Sequence, residues 1–211
     1  MPGALVILCD PTVASYGTIA TLYLDTFRAM GLRCEVRPYP TVAPRVPRGT
    51  VVLHSTLGPR FAPVPGAVNI AVPFHEWSRY PSPWALRLNA FDEVWAASTH
   101  LAALLHASGV TAPVRFAPPA LDLRPPAAKR AWAPHRPFRF LFVGEPHFRK
   151  GHHLLIGGFQ RLLGSGRGAT LTIKTSEDCA WTTGDARIHL ARGRWTHARM
   201  ARLYAAHDAF V

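Results

Sequence analysis

Lysine is nearly missing from this chain: Lys129, Lys150 and Lys174 are the only three, and arginines supply the remaining Lys/Arg count. Acidic residues are scarce too, with 12 Asp and Glu against 24 Lys and Arg, for a formal charge of +12. The arginines are spread along the chain without interleaved aromatic stacking motifs, which argues against a nucleic-acid partner. What remains is a solvated basic surface, or a surface drawn to anionic lipid or anionic substrates. Cysteine is also rare. Cys9, Cys34 and Cys179 are widely separated, with neither CxxC nor zinc-like spacing, so buried free thiols in a reducing compartment are expected. No apolar run approaches the roughly 18 residues of a membrane span. The start, "MPGALVILCDPT", lacks a basic leader and reaches Asp10 too early for a signal peptide. These absences point to a cytoplasmic protein with, at most, peripheral contact at the inner membrane face.

What is present is an alternation of strands and helices. "ALVILC" reads as a buried strand, and Ile19, Tyr23, Phe27 and Met30 then recur at helical spacing before Gly31. "RCEVRPY", "TVVLHS" and "AVNIAVPF" read as strands, the first two separated by a proline-rich loop. "SPWALRLNAF" predicts a short helix and "DEVWAAS" a strand, and Ser98 is placed to cap the helix carrying Leu101, Leu104 and Leu105. "PVRFAPP" reads as another short strand. This order predicts a layered α/β fold with a mainly parallel sheet.

Residues 118–137, rich in proline and alanine and without a usable period, read as a linker. The rhythm then restarts. "FRFLFVG", "ATLTIKT", "ARIHLAR" and "DAFV" read as strands, with one helix marked by Leu154 to Leu163 and another capped by Thr196. The expected domains are therefore 1–117 and 138–211.

The stretch "FLFVGEPHFRKGHHLL" carries the chemistry. A strand delivers the chain to the carboxyl edge of a parallel sheet, where ligands of open α/β sheets bind. Gly144 permits a close backbone approach. Arg149 offers a fork of donors and Lys150 a mobile charge. With Lys150 and Gly151 read as the start of the next helix, the free N–H groups there also favour an anion. Together these parts suit a diphosphate, although the GxxxxGK[ST] order is missing. Asp92 and Glu93, adjacent in a strand, point to opposite faces and form no carboxylate pair. His152 and His153 diverge on a helix and are not expected to hold a metal.

"FLFVGEPHFRKGHHLLIGGFQRLL" resembles the start of the donor domain of GT-B glycosyltransferases of family 4. "FHEWSRYPSPWALRLNAFDEVWAASTHLAALLHASGVTAPVRFAPPALD" resembles the end of that family's acceptor domain. The resemblance implies two Rossmann-like parallel-sheet domains facing a cleft, with the second incomplete. It implies a retaining, metal-independent transfer from a nucleotide-sugar to a glycan, lipid-linked or other acceptor, with no cofactor beyond the donor. In that reading Gly144, Arg149, Lys150 and Gly17 contact the donor phosphates. Lys174, Thr175, Arg192 and Arg194 lie on the nucleotide side. His75 and Glu76 face the reacting sugar or the acceptor.

The sequence departs from the family in three places. Glu145 stands where many members carry arginine. Gly157 and Gly158 occupy a helix interior, where close packing against a neighbour or relaxed selection would explain them. The chain also stops before the family's motif of two glutamates separated by seven residues. Two alternatives therefore stay open: a non-catalytic remnant or accessory protein that binds nucleotide diphosphate weakly, and a basic nucleic-acid or membrane-surface module.

Overall fold

The computed structural model describes residues 4–10, 14–121, 137–145, 147–163, 168–176 and 183–211. Most of the predicted linker, residues 122–136, and Cys179 lie outside the described residues. The chain divides into two compact units, Met1–Asp122 and Leu123–Val211. Each is a Rossmann-like α/β unit built on its own sheet, and every strand pairing is parallel.

In the first unit the strands are β1 (Leu5–Cys9), β2 (Cys34–Pro38), β3 (Val51–Ser55), β4 (Val68–Ala71), β5 (Glu93–Ala96) and β6 (Val114–Phe116). They are laid side by side in the order β2-β1-β3-β4-β5-β6. The helices are α1 (Ala14–Ala29), α2 (Ser82–Leu88) and α3 (Thr99–Ala107). β1 is apolar throughout because both of its faces are covered. Ile7 and Cys9 pack with Ala20, Tyr23 and Phe27 of α1, while Val6 and Leu8 pack with Tyr39, Val52 and Val64 on the other side. Tyr16, Ala20, Tyr23 and Phe27 are all buried and fall on one face of α1 at a spacing of three or four. Ser98 caps α3 as expected, its side chain accepting the N–H of Leu101 at 3.1 Å.

In the second unit the strands are β7 (Phe138–Val143), β8 (Ala169–Lys174), β9 (Ile188–Ala191) and β10 (Ala209–Phe210), ordered β10-β7-β8-β9. Phe159 of α4 (His152–Leu163) is the anchor of the core, packing with Leu171, Ile173, Ile188 and the partly buried Phe138, Phe140 and Phe142. Thr196 caps α5 (His197–Ala205) through the N–H of Arg199 at 3.3 Å. Asp208 fastens β10 to β7: its carboxylate accepts the Arg139 N–H at 2.9 Å, and its own N–H donates to the Arg139 carbonyl at 2.9 Å.

Three local expectations differ from the structure. The first helix starts at Ala14, so Gly17 lies in its first turn instead of in a loop. Lys150 does not open α4. It closes a separate 3₁₀ turn, Phe148–Lys150, and Gly151 at φ 71° breaks the chain into the left-handed region before α4 begins. Gly157 and Gly158 are not held by close packing, since a Cβ would meet only the end of Arg161 at 4.0 Å on the first and nothing within 4 Å on the second. Among the described residues no helix is long and apolar enough to cross a membrane.

Candidate functional site

Strand order locates the candidate site in the second unit. The chain builds β7, β8 and β9 outward in one direction, then crosses back to place β10 on the other side of β7. The order reverses at β7, and ligands of open parallel sheets bind beyond the carboxyl ends of the strands at such a reversal. The loop leaving β7 there contains Gly144, Glu145, Arg149 and Lys150.

Gly144 sits close under the Phe142 ring. A Cβ at this position would lie 3.0 and 3.1 Å from two ring carbons of Phe142, with the Lys150 Cβ at 4.0 Å beyond. The Gly144 N–H donates to the Lys174 carbonyl at 3.0 Å, which prolongs the β7–β8 ladder to the sheet's edge. Arg149 and Lys150 are both exposed on the 3₁₀ turn. Gly151 then turns the chain, and its carbonyl accepts the N–H groups of Leu154 and Leu155 at 2.9 and 3.0 Å. The Phe148 and His153 rings stack at 4.1 Å over this turn. Burial, aided by repulsion from His153, holds the His152 imidazole below its ordinary pKa.

Glu145 is the hub of the edge. Its carboxylate accepts Thr175 Oγ1 at 2.9 Å, the Ser176 N–H at 3.3 Å and, at short range, Ser176 Oγ. Glu145 is thus bound to the tip of the neighbouring strand. Lys174 is 3% exposed, and its ammonium donates to the Thr175 carbonyl at 2.7 Å and the Gly193 carbonyl at 2.6 Å. It also sits 5.1 Å from the Trp195 ring, which Arg199 covers from 3.6 Å. Burial lowers the Lys174 pKa, Glu145 opposes that shift, and Arg199 adds to it. Lys174 therefore joins the end of β8 to the loop after β9. Thr175 is equally buried, so neither side chain stands open on this edge. Arg192 and Arg194 are exposed in the β9 loop, with the Arg192 carbonyl accepting Trp195 Nε1 at 3.0 Å.

The first unit has its own reversal, between β1 and β3. Its carboxyl edge gathers groups that the sequence did not single out. Asp10, completely buried, pairs with Arg60, and its N–H donates to the Ser55 carbonyl at 3.1 Å. Ser55 and Thr56 are equally buried, and their hydroxyls have no partner among the described residues. The Tyr16 phenol is shifted upward by burial, then by the charges of Asp10 and Glu76. Glu76 is therefore within electrostatic reach of Tyr16, and it is exposed. His75 Nε2 donates to the Arg79 carbonyl at 2.5 Å, so this nitrogen is engaged in shaping its own loop. Gly17, in the first turn of α1, accepts Thr21 Oγ1 on its carbonyl at 2.9 Å. The one sequence signal for Asp10 and Ser55 is position: a polar residue at or directly after the end of a buried apolar strand.

No protein-family model matches this sequence. Comparison with curated proteins likewise returns no match. Among solved structures, the chain is similar to a lipopolysaccharide outer core galactosyltransferase, WaaB, in its apo form, with a TM-score of 0.53 and 11% identity. That similarity covers 100% of this chain and 73% of the galactosyltransferase. A second similarity, to the Gap123 glycosylation-associated protein complex of Streptococcus agalactiae, has a TM-score of 0.43 and 12% identity. It covers 79% of this chain, which spans only 38% of that one. At these identities the likeness to WaaB is one of fold.

Proposed function

We propose that the chain performs sugar transfer from a nucleotide-sugar, with the diphosphate of the donor held by the loop between β7 and α4. The observation that carries this reading is the position of Arg149 and Lys150, on an exposed turn at the strand-order reversal of a parallel sheet. The fold likeness to a galactosyltransferase and the resemblance to family 4 support it.

In this reading Arg149 forks onto phosphate oxygens, while Lys150 and the N–H groups at the head of α4 face the same charge. These groups stabilise negative charge that builds on the leaving diphosphate, the part a metal ion plays elsewhere. The sugar carbon acquires oxocarbenium character, and the acceptor attacks with retention. Gly144 keeps the approach to the phosphates open. Arg192 and Arg194 flank the nucleotide. Lys174 and Thr175 act from beneath, by fixing the strand tips. On the acceptor side, Glu76 is the exposed acid and His75 shapes the loop that bears it. Gly17 keeps the first turn of α1 free of side-chain bulk. The acceptor is a glycan or a lipid-linked saccharide, reached from the cytoplasmic side, where the basic surface favours contact with anionic lipid.

One observation favours a second reading. Glu145 places a carboxylate at the root of the phosphate loop, which weakens diphosphate binding and suits a protein that binds donor without turning it over. A release assay separates the two. The protein is incubated with UDP-, GDP- and ADP-sugars and a saccharide panel, and free nucleoside diphosphate is followed. Release that depends on the acceptor and is lost in Arg149→Ala/Lys150→Ala supports transfer. Binding without release supports the second reading.

A further inference from the structure

The first unit carries a cavity of about 580 Å³ on its flank, a volume typical of small-molecule sites. Segment 78–82 forms one wall, and the last turn of α3 forms the other.

Both walls are fixed. His75 Nε2 holds the Arg79 carbonyl at 2.5 Å, and the Tyr80 N–H donates to Ser108 Oγ at 3.3 Å, bridging one wall to the other. The Tyr80 ring is buried at 3% exposure, against His75 at 5.0 Å and Trp84 at 5.8 Å. The cavity therefore requires no rearrangement to exist.

Its lining combines two chemistries. Ser78, Ser82 and Ser108 bring hydroxyls, and Arg79 brings a guanidinium, while Pro81 and Leu104 are apolar; no lining residue is acidic. Ser108 Oγ already accepts the Tyr80 N–H, so its own proton remains to be donated. Serine hydroxyls both donate and accept, which suits a ligand with many hydroxyls. Apolar and aromatic surface suits the C–H face of a sugar ring. Arg79 only donates, and its strongest partner is an anion.

We propose that this pocket binds an anionic saccharide, a hexose unit carrying a carboxylate or a phosphate. The pocket stands on its own residues. Assigning its ligand to the acceptor rests on the sugar-transfer reading above, and makes that acceptor an acidic glycan.

The test is a titration of the full-length protein with glucose, glucuronate, glucose 6-phosphate and inorganic phosphate, read by tryptophan fluorescence and calorimetry. Glucuronate or glucose 6-phosphate should bind at least about tenfold tighter than glucose, a difference near 1.4 kcal/mol. Arg79→Gln should bring the charged sugars to the level of glucose, and Ser78→Ala should weaken all three. Both positions are exposed, so the variants should stay folded, as circular dichroism would verify. Tight binding of only one charged sugar supports the pocket and identifies the anion. The same affinities in Arg149→Ala/Lys150→Ala place the binding away from the phosphate loop. Inorganic phosphate competing as well as glucose 6-phosphate would overturn the proposal, as would no saccharide binding at millimolar concentration. Loss of saccharide binding with UDP binding intact leaves the donor site standing.

Discussion

The carboxylate of Glu145 and the hydroxyl of Thr175 meet at 2.9 Å, joining the tip of β7 to the tip of β8. The contact places a negative charge at the root of the loop that carries Arg149 and Lys150. Glu145→Gln keeps an oxygen acceptor for Thr175 and removes the charge. A nearby like charge at a protein surface costs a bound anion on the order of 1 kcal/mol. UDP affinity should therefore rise several-fold in the glutamine variant, as calorimetry would measure. Unchanged or weaker affinity in the folded variant contradicts the placement of the diphosphate beside this carboxylate.

His54 predicts a pH dependence of stability. The ring is fully buried, with Nε2 2.9 Å from Asn69 Oδ1 and Nδ1 3.1 Å from the Tyr39 hydroxyl. A carbonyl oxygen cannot donate, so Nε2 carries the proton and Nδ1 accepts from the tyrosine. Burial pushes the pKa from 6.5 down to about 4, with the Asn69 hydrogen bond opposing. The unfolded chain binds this proton more readily than the folded one. The contribution is thus complete above the unfolded value of 6.5 and is lost as pH falls toward about 4. The loss amounts to roughly 3 kcal/mol. Urea unfolding at stepped pH should show stability falling across this window, with a shallower fall in His54→Gln. An identical slope in the two proteins contradicts the assignment.

Gly157 and Gly158 lie inside α4 with open space where a Cβ would stand and without positive φ. Alanine at each should stabilise the protein by about 0.5–1 kcal/mol. Gly58 is the opposite case. A Cβ there would fall 2.1 Å from Cε3 of Trp84, so Gly58→Ala should destabilise by roughly 1–3 kcal/mol through overpacking. Thermal unfolding of the three variants checks both signs.

These contrasts show what the sequence could convey. Hydrophobic period located β1, α1, α3, β7 and β8 because each buries a regular face, and Ser98 and Thr196 were legible as caps because their bonds are local. The site was less legible. Lys174 looks like an open cation in a sequence, yet it is buried and directed at two backbone carbonyls, one of them 19 residues away. Lys150 and Gly151 look like the start of α4 in the sequence, because a single glycine between two helical turns does not break the apolar spacing. Asp10 meets Ser55 only through the parallel pairing of β1 with β3, a long-range relation that no local pattern carries.

Thr196→Ala removes the oxygen that accepts the Arg199 N–H at the start of α5. Loss of such a cap costs about 1 kcal/mol. Since Arg199 lies over Trp195 at 3.6 Å, the loop bearing Arg192 and Arg194 should loosen as well. Amide hydrogen exchange should speed up across residues 192–199 in the variant and remain unchanged in the first unit. Uniform acceleration through both units contradicts a local role.

The most direct measurement is a ³¹P NMR titration of UDP with the full-length protein and with folded Arg149→Ala/Lys150→Ala. The diphosphate resonances should shift and broaden with the native protein and stay at their free positions with the double variant. Equal shifts with both proteins, or none with the native one, would contradict a diphosphate site on the loop between β7 and α4.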